Sequence, residues 1–157
     1  MNEQLAAQRT IVADRLMPHP PEKIWRALAQ AHLIEQWLMK NDFEPRLGAE
    51  FTFRAKPMGD WDGAVRCVVT AFDPPRRLAY SWKGGSLGNR AYGAALDSVV
   101  EWTLSPEARG TRVRLEHSGF GPRNNMASAV MAPGWERGLV RLEEVAAGFT
   151  RTPGIDG

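Results

Sequence analysis

The chain has 157 residues, 43% of them hydrophobic and 24% charged, the balance of an ordinary globular domain long enough to bury a core without staples. Twenty basic against eighteen acidic residues leave a net charge of only +2, with the arginines scattered, which argues against nucleic acid as a partner. The single Cys67 excludes an internal disulfide. With no signal-peptide core in MNEQLAAQRTIVADR and no run of about 20 apolar residues, a cytoplasmic protein without membrane insertion is expected.

The first apolar element, Thr10 to Leu16, reads as a strand stopped by Pro18-His-Pro-Pro21. A helix follows over Glu22 to Ala31, with Ile24, Trp25 and Leu28 at helical spacing, since proline is tolerated in a first turn where its missing N–H has no partner anyway. A second short helix, His32 to Met39, repeats the pattern with Leu33, Ile34, Trp37 and Leu38. From Gly48 the period becomes two. Phe51 and Phe53 alternate with Thr52 and Arg54, and Val65, Cys67, Val69 and Ala71 share a face of the next strand.

A loop over Pro74 to Arg77 would pair Asp73 with Leu78 and put Leu78, Tyr80 and Trp82 on the same apolar face. Ser105 to Gly110 then forms the turn between strands Ser98–Leu104 and Thr111–His117. Pairing Leu104 with Thr111 sets Trp102 against Val113, Val100 against Leu115 and Ser98 against His117. It puts Glu101 against Arg114 and Thr103 against Arg112 on the other face. The last element, about Ala127 to Phe149, carries Trp135, Leu139, Leu142, Ala146 and Phe149 on one helix face, and Pro133 should kink it or mark where its regular part begins.

The expected fold is α+β: a curved, six-stranded antiparallel sheet wrapped on a long C-terminal helix, with two short helices after the first strand. One domain spans residues 1–150, and residues 151–157 form a polar tail. Alternating hairpins bring loops 55–62 and 84–97 and the segment after His117 to one end, which gathers Met58, Trp61, Tyr92, Phe120 and Met126.

The segments PPEKIWRALAQAHLIEQWL, Gly63 to Trp82 with DPPRRLAYSW, GTRVRLEHSGF and GWERGLVRLEE resemble the START-related SRPBCC superfamily. More narrowly they resemble bacterial homologues of the C-terminal domain of the heat-shock protein 90 ATPase activator, over about Thr10 to Phe149. The resemblance implies a helix-grip fold with a cavity beneath the long helix. Similar proteins bind lipids, sterols, polyketides or plant hormones, and some are cyclases or aromatases. The eukaryotic activator also has a separate N-terminal chaperone-binding domain with no counterpart in these residues, so a chaperone-activating role is not the leading expectation.

The leading expectation is a protein that binds a small hydrophobic or amphipathic molecule between sheet and helix. Its walls would be Val100, Trp102, Leu115 and His117 from one hairpin, Phe53, Tyr80 and Trp82 from neighbouring strands, and Met131 and Trp135 from the helix. Trp61 and Phe120 would stand at the mouth. Six tryptophans could also fill that space themselves, and the residue pattern leaves both readings open for Trp82, Trp102 and Trp135.

His117 is the one candidate for acid–base chemistry, in a cyclase, aromatase or hydrolase reading, with a satisfied structural histidine as its rival. A third reading is an interaction module, as a chaperone partner or as a homodimer using Trp61. His19 and His32 flank helices in capping or surface roles, and Cys67 reads as a small core residue. The Gly84–Gly88 segment is a loop signal only, and one Cys with three dispersed His residues implies neither metal nor cofactor.

Overall fold

The computed structural model describes residues 9–57, 62–85 and 95–148. Strand β1 (Arg9–Met17) is followed by α1 (Pro21–Leu28), α2 (Ala31–Trp37), β2 (Lys40–Asn41), β3 (Glu50–Arg54) and β4 (Ala64–Asp73). Then come β5 (Arg77–Gly84), β6 (Leu96–Glu107), β7 (Gly110–Phe120), a 3-10 turn at Pro122–Asn124, and α3 (Asn125–Ala146). The strands form one antiparallel sheet in the order β1-β7-β6-β5-β4-β3-β2. With α3 across it, this is the α+β helix-grip arrangement. Trp61 and Tyr92, Met58 and Phe149, and the tail over 151–157 lie outside the described residues.

The sheet has seven strands where six were expected, because Lys40 and Asn41 pair with Arg54 and Phe53 at its edge. Two residues leave no periodicity to read, and asparagine is a poor strand former. Its side chain holds the corner instead. Asn41 Nδ2 donates to the carbonyls of Ala31 (3.1 Å) and Met39 (3.0 Å), and Asn41 Oδ1 accepts from the Phe43 N–H at 3.0 Å.

The β6–β7 register differs from the expected one by two residues. Leu104 pairs with Val113, Trp102 with Leu115, Val100 with His117 and Glu101 with Glu116, and the ladder runs on to Glu107 opposite Gly110. Both strands thus extend into the supposed loop, leaving a two-residue turn at Ala108-Arg109. Pro106 is admissible because the β5 ladder ends at Arg77 opposite Thr103, so no β5 carbonyl awaits its missing N–H. A shift of two preserves faces, so the apolar sorting survives. The expected Glu101–Arg114 pair is replaced: Arg114 bonds Glu116 at 2.8 Å, and Glu101 bonds Arg77.

At the β4–β5 turn Asp73 pairs with Arg77 rather than Leu78, and an irregularity between Val69 and Ala71 restores the phase so that Val69 faces Tyr80. Ala71 is consequently only half-buried, while Val65, Cys67 and Val69 are core.

Helix α3 runs through Pro133 without interruption. It buries Trp135, Gly138, Leu139, Leu142, Val145 and Ala146 against the sheet and the short helices. Asn124 pins its start to β6: Nδ2 donates to the Ala95 carbonyl at 2.8 Å, and Oδ1 accepts from the Gly121 N–H at 3.0 Å. Near the other end, Arg15 on β1 bonds Glu143 at 2.6 Å. Among the described residues no helix is long and apolar enough to cross a membrane.

Candidate functional site

The space between β5–β7 and α3 is built from aromatic side chains that meet edge to face or tilted. Trp102 packs on Trp37 (5.5 Å between centroids) and Trp135 (5.8 Å), and Trp82 packs on Phe53 (5.2 Å) and Trp135 (5.5 Å). Val100, Trp102, Leu115, Phe53, Phe120 and His117 are each 0% exposed, so none has surface left for a ligand to cover. Phe120, expected at a mouth, lies inside against the His117 ring at 4.6 Å.

His117 sits at the centre of a closed chain of hydrogen bonds. The Trp135 Nε1–H donates to His117 Nδ1 at 3.0 Å, which places the imidazole proton on Nε2. Nε2 then donates to Ser98 Oγ at 2.8 Å, and the Ser98 hydroxyl donates to the Trp82 carbonyl at 2.8 Å. Both ring nitrogens are engaged. Burial pushes the imidazole pKa down from 6.5 to about 3, so the ring is neutral under all ordinary conditions. Such a histidine joins strand, helix and sheet, and no ring nitrogen is left to exchange a proton with a substrate.

Tyr80 is in the same position. Its hydroxyl accepts from Trp102 Nε1–H at 3.1 Å, and burial raises its pKa. Burial also raises the Cys67 pKa, so the thiol stays protonated, in contact with the Val65 carbonyl at 3.7 Å. His19 and His32 do not cap: Pro20 and Gln30 hold the N-cap positions of α1 and α2. Among the described residues no three His, Cys, Asp or Glu side chains gather as a metal site.

What remains open beside this cluster is a pocket of about 210 Å³, lined by Leu38, Met39, Trp82, Val130, Met131, Gly134, Trp135 and Arg137. Three of the residues singled out from the sequence, Trp82, Met131 and Trp135, meet there. Phe53, Tyr80, Val100, Trp102, Leu115, His117 and Phe120 do not line it, and Trp61 lies outside the described residues.

Leu38 and Met39 were legible only as the end of a helix. The Asn41 bonds to Ala31 and Met39 bring them to the pocket, a contact no local pattern announces. Gly134 leaves the floor open. A Cβ there would meet nothing nearer than Arg137 Nη2, at 3.9 Å, so the guanidinium reaches back over the glycine from one turn further along α3. Two larger depressions, about 300 and 400 Å³, are lined mainly by polar and charged side chains; the first runs along Arg26, Gln30 and Gln36, the second along Asp42, Thr52, Arg66 and Lys83.

The fold recurs in solved structures. Protein MLL2253 from Mesorhizobium loti is 42% identical, with a TM-score of 0.76 over 88% of this chain and 97% of that one. DynU16, a protein of the dynemicin biosynthetic locus, is 21% identical with a TM-score of 0.72, over 90% of this chain and 48% of that one. The Aha1 dimer from Colwellia psychrerythraea is 19% identical with a TM-score of 0.69, over 88% of this chain and 96% of that one. Among curated proteins no sequence matches. The profile described as Activator of Hsp90 ATPase homolog 1-like protein matches residues 18–147, most of the chain, and the protein therefore belongs to that family.

Proposed function

We propose that this protein binds a small, mainly apolar molecule in the pocket between the Leu38-Met39 corner, Trp82 and helix α3. The observation that carries the reading is the lining itself: two tryptophan rings, two methionines and two aliphatic side chains line one depression together with Gly134, which leaves space open beside it. Adaptable thioethers beside rigid rings suit an apolar occupant, which gains about 0.8 kcal/mol for each methylene it buries. At about 210 Å³ the pocket falls below the roughly 300–1,000 Å³ of drug-sized sites, so the ligand is small or protrudes. An enzymatic reading finds less support, because Arg137 is the one ionisable side chain among the described lining residues and His117 is sealed behind Trp135.

The test is fluorescence titration with the neutral probe N-phenyl-1-naphthylamine. Wild type should enhance its emission. Gly134→Leu, which puts an isobutyl group on the pocket floor, should weaken binding at least about tenfold. Gly134→Ala should retain binding and gain about 1 kcal/mol of helix stability. Equal binding by wild type and Gly134→Leu, or none by wild type, overturns the reading.

A further inference from the structure

We infer that the ligand of this pocket is an anion, an apolar body carrying one carboxylate that Arg137 holds at the rim; this rests on the reading that the pocket is the binding site. Seven of the eight lining residues are uncharged and the eighth is Arg137. Its guanidinium is turned back over Gly134 towards the pocket rather than away along the helix.

Among the described residues nothing neutralises it. The positions three and four residues away on α3 are Pro133, Gly134, Val140 and Arg141, so no carboxylate stands at either neighbour spacing, and Arg141 adds charge of the same sign. Elsewhere the arginines of the outer sheet face are paired, Arg112 with Asp14 and Glu107 and Arg114 with Glu116. Among the described residues Arg137 makes no ion pair or hydrogen bond.

A planar guanidinium presents a fork of N–H donors that matches a carboxylate, while the tryptophan and methionine side chains offer apolar contact to the remainder of the ligand. The size of the space selects the class further. About 210 Å³ takes a two-ring or medium-chain acid, and it is too small for the apolar face of a partner helix.

The experiment compares 2-naphthoate with 2-naphthamide, which share an apolar body and differ in charge, by calorimetry on wild type, Arg137→Gln, Arg137→Lys and Gly134→Leu. Arg137 is exposed and unpaired, so its variants should fold as wild type does, which circular dichroism checks. Wild type should prefer the acid about tenfold, the preference should fall with added salt, and Arg137→Gln should abolish it by weakening the acid far more than the amide. Arg137→Lys should keep part of it. Equal affinity for acid and amide, with both lost in Gly134→Leu, overturns the inference and leaves the pocket reading standing. A preference that survives Arg137→Gln also overturns it, since another cation would then be responsible. Binding of neither compound overturns both.

Discussion

His117 titrates against the fold. In the unfolded chain its imidazole takes up a proton near pH 6.5, whereas in the folded protein burial delays uptake to about pH 3. Between those values the unfolded state binds more protons, so stability falls as the pH falls. The loss should be about 2 kcal/mol between pH 8 and pH 5 and should stop growing once the folded imidazole itself protonates. Urea unfolding at the two pH values measures it. His117→Gln retains a donor for Ser98 and an acceptor for Trp135 but has no proton to gain, so its stability should depend less on pH over the same range. An unchanged slope in that variant would show that His117 is not the group responsible. The position of His117 on the concave face was legible from alternation alone. Its chemistry was not, because the two bonds that engage its nitrogens come from Ser98 and Trp135, 19 and 18 residues away.

The hairpin of β6 and β7 is held by a turn that only glycine can close. Gly110 has φ +147°, and a Cβ there would lie 2.0 Å from the Met17 carbonyl oxygen, where β1 ends against β7. Gly110→Ala should therefore destabilise the protein by about 2 kcal/mol or more, measured by chemical denaturation. A loss below about 0.5 kcal/mol would mean that the β1 end moves aside freely. This hairpin also shows where periodicity stops being informative. Alternation assigns each side chain to a face, but registers two residues apart bury the same set, and only the length of the turn separates them. In α3 the converse holds: the spacing of Trp135, Leu139, Leu142 and Ala146 was sufficient to place its buried face, since one helix admits one phase.

Sheet, short helices and α3 share one continuous core, from Ile11 and Met17 on β1 through Trp37 to Leu142 on α3. Unfolding should accordingly be a single transition. Near-UV circular dichroism of the tryptophan cluster and far-UV dichroism of the backbone should give the same midpoint, and separate midpoints would show that α3 detaches independently of the sheet. The class of fold, the order of its larger elements and the inward face of each followed from the chain alone, because backbone geometry forces periods of 2 and 3.6 on any half-buried segment. Whether the space under α3 is void or filled did not follow. That depends on summed side-chain volume against the distance between helix and sheet, and Trp37, Trp102, Trp135 and Trp82, from four separate elements, pack in one continuous run of rings. Tertiary packing filled the centre with rings and left the opening at the edge, where Asn41 sets a corner of the chain opposite Gly134.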